Sequence, residues 1–301
     1  MIAIRKALCL MLLLASIGAE SIAQQEYQFT QVTKSVEFLN PAYNVSKKGA
    51  NATLLHRNQW TGIEGAPKTV ALNVHVPMRS IPLGIGATAV GEYVGLRKVL
   101  NAGLTANSQV KVGEGGYLAG GLAAGAQITR YNDDKAIAYT EYNELSRYES
   151  VDPYAGMGVY YFSKLVHAGL ASFYTISQAK TDVFSENLNV NLNASVVLPL
   201  SDKWSLKPYT LVKYSTKYMN SAELGAMVLW NDFLWLGGGY RYHSAVSAMI
   251  DVKIIDYLRI GYSYDYGIGT VSALKASSHE IRLSFEMFKP AAPEQQQIKF
   301  R

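Results

Sequence analysis

Tyr257-Leu258-Arg259-Ile260-Gly261-Tyr262-Ser263-Tyr264-Asp265-Tyr266 puts Leu, Ile and Tyr at every second position, with Arg, Gly, Ser and Asp between them. Successive side chains of a strand point to opposite faces, so this stretch has one apolar side and one wet side. The rhythm recurs in Ile281, Leu283, Phe285 and Met287 against Glu280, Arg282, Ser284 and Glu286, and in Val190, Leu192, Ala194, Val196 and Leu198 against Asn189, Asn191, Asn193 and Ser195. A soluble two-sheet barrel would alternate in the same way, but its strands usually run about five or six residues. These runs reach about nine to eleven, the length of a tilted membrane-crossing strand. The expectation is an all-β chain folded as a transmembrane antiparallel β-barrel.

Composition leans the same way. Of 301 residues, 17% are charged, below the roughly 25% of soluble domains, and 21 Tyr outnumber 9 Phe and 4 Trp together, as suits rings at a lipid boundary. The net charge of +5 is not gathered into a basic stripe, so nucleic acid is not an expected partner and outer-membrane lipids are. Residues 1–23 have the make-up of a signal peptide: Arg5 and Lys6, an apolar run from Ala7 to Ile17, then Ser21-Ile22-Ala23. The single cysteine, Cys9, lies inside that run, so the exported chain is expected to lack thiols and disulfides.

Alternation predicts about 14 strands, near 50–60, 68–78, 83–93, 99–111, 117–130, 153–162, 165–176, 187–199, 204–216, 220–230, 233–243, 246–255, 257–266 and 278–288. Short connections, such as 79–82, 112–115, 163–164, 201–203, 231–232 and 256, all fall on one side. The long ones, 131–152, 177–186 and 267–277, fall on the other. Outer-membrane barrels place short turns in the periplasm, so both termini are expected there. The domain reading is therefore a signal peptide (1–23), a periplasmic N-terminal segment (24–49) that lacks the barrel period and sits inside or below the barrel, the outer-membrane barrel (50–288) and a flexible periplasmic tail (289–301). Trp60, Trp204 and Trp230 lie at strand ends, where an aromatic girdle belongs. The wet face carries Gly84, Gly86, Gly103, Gly121, Gly125, Gly156, Gly158, Gly169, Gly237 and Gly239. Strand curvature accounts for such glycines most simply; a lumen shaped for a plug or partner segment is the alternative.

The stretch Arg57-Asn58-Gln59-Trp60-Thr61-Gly62-Ile63-Glu64-Gly65-Ala66-Pro67 resembles the R-x-Q-W-x-G-I-x-G-A-P signature of the PorP/SprF family of the type IX secretion system. Gln28-Phe29-Thr30-Gln31 and Asn40-Pro41-Ala42-Tyr43 resemble that family's opening motif, and Tyr264-Asp265-Tyr266 with Ser278-His279-Glu280-Ile281 its closing strands. The resemblance implies a multi-pass outer-membrane component without catalytic activity, serving secretion, surface attachment of adhesins or gliding. Its implied partners are periplasmic secretion components or peptidoglycan-binding subunits, and secreted cargo bearing a C-terminal sorting domain. Motif residues expected to matter are Arg57, Gln59, Trp60, Gly62, Gly65 and Pro67, with Tyr264, Asp265, Tyr266, His279 and Glu280 in the closing strands. Arg57 is expected to point inward, either holding a rigid hairpin or touching a secretion partner.

No GxxxxGK[ST], HExxH or GxSxG motif occurs, and the five histidines have no metal-ligand spacing, so neither cofactor, metal nor catalytic residue is expected. His243-Ser244 is the nearest approach to a hydrolase pair, and no third orienting group accompanies it. A passive diffusion porin is the alternative to the secretion role.

Overall fold

The computed structural model describes residues 27–47, 49–78, 81–132, 147–176, 187–216, 220–269, 272 and 276–287. The expected signal peptide (1–23) and the expected tail (289–301) lie outside these residues. Along the chain the strands are β1 (Ala50–Asn58), β2 (Lys68–Pro77), β3 (Leu83–Val94), β4 (Arg97–Val112), β5 (Gly116–Asn132), β6 (Arg147–Ser163), β7 (Val166–Thr175) and β8 (Asn187–Val196). There follow β9 (Leu198–Pro199), β10 (Trp204–Ser215), β11 (Ser221–Trp230), β12 (Leu234–Arg241), β13 (Ala245–Ile255), β14 (Leu258–Gly267) and β15 (Ser277–Met287). Each strand pairs antiparallel with its neighbours in sequence, save that β8 and β9 both pair with β10, and β1 pairs with β15 from Ala50↔Met287 to Asn58↔His279. The sheet is thereby closed and has no free edge, the condition for burying backbone in lipid. Because β8 and β9 are two parts of one crossing, broken where Val197 donates its N–H to Leu165 instead, the wall has 14 crossings.

The alternation sorts as its rhythm requires. In β14, Ile260, Tyr262, Tyr264 and Tyr266 are on the outer face, while Gly261, Ser263 and Asp265 are buried on the inner one. The outer face exposes Val74, Ile85, Leu104, Leu122, Met157 and Leu170, with Leu104 at 70%. Trp204 and Trp230, opposite each other in register, stack with centroids 6.1 Å apart at the short-turn end. No helix among the described residues is long and apolar enough to cross a membrane.

Two features depart from the expectation. Strand β6 begins at Arg147, well before the boundary near 153 read from alternation, pairing with β5 out to Asn132↔Arg147 with an exposed Arg130–Glu149 bridge at 2.8 Å. Where a hairpin rises clear of the bilayer both faces meet water, so the two-residue rhythm fades while the pairing continues. The second is larger: of the two placements open to the N-terminal segment, inside or below the barrel, residues 27–47 take the inner one and are not a free periplasmic segment. This inner segment carries three short 3-10 turns, η1 (Val32–Lys34), η2 (Val36–Phe38) and η3 (Tyr43–Ser46). Its Phe29, Val32, Val36, Phe38, Leu39 and Ala42 form the apolar centre of the molecule, packed on inward residues such as Leu55, Tyr209, Met227 and Trp235. Together these rings and aliphatic chains give the lumen a core of its own.

Candidate functional site

The inner segment meets the wall at two stations, and each is built from a motif legible in the sequence. At the first, Glu280 of β15 accepts the successive backbone N–H groups of Thr30 and Gln31 at 2.8 and 2.9 Å. Arg57 of β1 reaches Asp265 of β14 through Nη2 at 2.7 Å and Glu280 through Nη1 at 3.5 Å. The Thr30 hydroxyl closes the ring by accepting from Arg57 and donating to Asp265. Asp265 also faces Arg241 of β12 at 3.4 Å, and Arg241 holds Glu223 of β11 at 2.9 Å. Tyr209 of β10 donates to the same Glu223 at 3.0 Å. Three carboxylates thus surround two guanidiniums, all of them 5% exposed or less. Charge-assisted bonds of this kind are short and strong, and planar guanidinium is suited to bridging two acceptors at once.

At the second station the Asn40-Pro41-Ala42 turn lies against β5, β6 and β7. Asn40 Nδ2 donates to the Val159 carbonyl at 3.0 Å, and Asn40 Oδ1 caps the Ala42 N–H at 2.9 Å. Asn107 of β4 donates to the Pro41 carbonyl at 3.1 Å, and Asn191 of β8 to that of Leu39 at 3.2 Å. The turn can come this close because the wall has glycine there: a Cβ at Gly121 would strike the Ala42 backbone, and one at Gly158 the Asn40 side chain. Gly261 makes the same room for Gln31 at the first station. Further contacts come from Asn73 of β2 to Asn44, Met227 of β11 to Thr33 and Lys213 of β10 to the Tyr27 carbonyl. Contacts therefore come from strands all around the wall, and the segment lies across the lumen.

The motif residues separate by phase. Arg57, Asp265 and Glu280 converge at the first station, whereas Tyr264 and His279 lie on the outer face with their rings 5.3 Å apart. His279 Nδ1 is 2.7 Å from the Tyr262 hydroxyl, and Tyr266 is exposed. Gln59, Trp60, Gly62, Gly65 and Pro67 build the β1–β2 connection: the Gln59 N–H donates to the Pro67 carbonyl at 2.9 Å, and the Trp60 N–H to Ser278 Oγ at 3.1 Å. Gly62 and Gly65 take φ of 97° and 75°, and the Gly65 carbonyl accepts from Gly95 in the β3–β4 turn at 2.8 Å. Left-handed φ favours glycine, so the hairpin's shape requires these two. Of the glycines read as marks of curvature, Gly121, Gly158 and Gly169 instead accommodate the inner segment, while Gly103 and Gly125 make room for Tyr154.

Sequence reasoning missed Arg241 and Glu223 as site residues, and quoted Asn40 within the opening motif without giving it a role. Arg241 and Glu223 lie on the wet phase like any lumen residue, and only their shared height in the barrel, Glu223↔Arg241 in register, marks them.

Both stations lie within residues 21–285, which the model for type IX secretion system membrane protein PorP/SprF matches. The chain belongs to the PorP/SprF family. No curated protein matches it in sequence. Among solved structures, this PorP/SprF member is similar to the CymD monoaromatic hydrocarbon channel, at 13% identity and a TM-score of 0.50, covering 89% of this chain and 93% of that one. It is also similar to the Ralstonia pickettii toluene transporter TbuX, at 11% identity and a TM-score of 0.51, covering 84% and 94%. At such identities the likeness concerns the fold, an outer-membrane β-barrel.

Proposed function

We propose that this chain acts by binding rather than catalysis, as a closed outer-membrane barrel of the type IX secretion system. In this reading it supports export or surface attachment of cargo such as adhesins with a C-terminal sorting domain, and couples to gliding where the cell glides. The short turns and both termini face the periplasm and its secretion or peptidoglycan-binding components, and the longer connections face the cargo. One observation carries the reading: the charged family-motif residues Arg57, Asp265 and Glu280 hold a segment across the lumen, an arrangement suited to a platform and unsuited to free diffusion. A passive porin is the competing reading, and the two differ in what they conduct. The purified protein in planar bilayers is expected to stay closed, and deletion of the gene to change the set of proteins released to the medium or displayed on the surface. A steady open pore, with an unchanged protein catalogue in the deletion strain, would favour the porin.

A further inference from the structure

The charges of the lumen do not balance at the short-turn end. There, Lys34 of η1, Lys207 of β10 and Arg259 of β14 gather on the Trp235 ring of β12, their charged groups 2.8, 5.3 and 5.4 Å from its centroid. Asp251 of β13 serves three of the cations: Arg259 at 2.7 Å, Arg282 of β15 at 3.3 Å and Lys34 at 3.9 Å. Asp232, in the β11–β12 turn, is half-exposed and meets Arg259 Nη1 through its carboxylate at 3.3 Å and its backbone carbonyl at 2.6 Å. Lys47 is already matched by Glu37 at 3.2 Å. Because Glu37 also faces Arg282, Lys34, Lys207, Arg259, Arg282 and Lys47 together meet Asp251, Asp232 and Glu37, five cations against three carboxylates.

The donors point to the same imbalance. Arg259 Nη2, Arg282 Nε and Trp235 Nε1 are buried without an acceptor. Lys207, 8% exposed, forms no hydrogen bond or ion pair with the other described residues. Burying cations without counter-charge is unfavourable, and so is leaving N–H groups unsatisfied. A single group with several acceptor oxygens and negative charge would meet both deficits.

We infer that this end of the lumen is an oxyanion site, in which Lys207, Arg259 and Arg282 supply charge and Trp235 Nε1 a neutral donor to a carboxylate or phosphate group. The site rests on the charges alone, so a porin with the same residues would bind the same anions and the secretion reading is tested separately. The full exported chain, purified in zwitterionic detergent, is titrated calorimetrically with sodium phosphate and, separately, with tetraglutamate at constant ionic strength. Saturable binding of at least one is expected. It should weaken at least tenfold in Lys207→Met and in Arg259→Gln, and be unchanged in Arg130→Ala, whose partner Glu149 is exposed on the β5–β6 hairpin. A response to phosphate alone assigns the site to a free phosphate or headgroup, and a response to the peptide assigns it to a protein carboxylate. Heat-modifiable gel mobility checks that each variant is folded. Wild-type protein gives a second measure: its urea midpoint should rise in phosphate relative to chloride of equal ionic strength, because a ligand that binds only the folded state stabilises it. No saturable heat with either anion, undiminished binding in both variants, or no rise in the midpoint with an anion that gives saturable heat would overturn the site.

Discussion

Arg57 is 2% exposed, and its guanidinium touches Asp265, Glu280 and the Thr30 hydroxyl at once. Removing it leaves Asp265 to Arg241 and Glu280 to two backbone N–H groups, and breaking a buried ion pair in this way costs about 3–5 kcal/mol. Arg57→Ala is therefore expected to lower unfolding stability in urea by about that amount and to open residues 27–47 to protease. Arg57→Lys should fall between wild type and alanine, since a point-like ammonium cannot span the same acceptors as a planar fork. If Arg57→Ala instead unfolded like wild type and kept its inner segment protected, yet secretion failed, the guanidinium would be a partner contact and its inward bonds incidental.

At the scale of elements, the Asn40-Pro41-Ala42 turn is held by Asn40 bonding to the Val159 carbonyl and by the absence of side chains at Gly121 and Gly158. Gly158→Val would put methyl groups where the Asn40 amide and the Pro41 ring now lie, and overpacking of this kind costs about 1–3 kcal/mol. The barrel is expected to assemble and the turn to be displaced, so planar bilayers should register conductance that wild type lacks. Gly120→Ala is the control, because a Cβ there meets nothing within 4 Å. Strand positions were legible in the sequence for a simple reason: lipid outside and water inside impose a two-residue rhythm on every crossing. The same physics hid the rest. The inner segment, surrounded by wall on all sides, needs no periodicity, and its Phe29, Val36 and Phe38 read as irregular spacing. Arg57, Asp265 and Glu280 could be singled out because a family resemblance marked them, but their meeting depends on the β1–β15 closure, which pairs Arg57 with Glu280 across 223 positions of sequence.

For the whole molecule, acidity should test how the lumen is kept filled. Glu37 lies on the inner segment and outside the crossing strands; burial pushes its carboxyl up, but Lys47, with Arg282 behind it, outweighs this and holds it below its ordinary value. A carboxyl whose folded value is depressed adds stability above its unfolded value, about pH 4.3, and that stability is lost as pH falls through the folded value. Between neutrality and about pH 5 the seal should therefore be insensitive to pH. Below about pH 4.3 the Glu37–Lys47 pair, 3.2 Å apart, should progressively cease to hold the segment. Bilayer recordings stepped from pH 7 to pH 3 are expected to show openings confined to the acid range, reversible on return to neutrality. Glu37→Gln should open more at neutral pH and vary less with acid, since it has no proton to gain. A wild-type barrel still closed at pH 3, or a Glu37→Gln variant with an unaltered acid response, would show that this pair does not govern the seal.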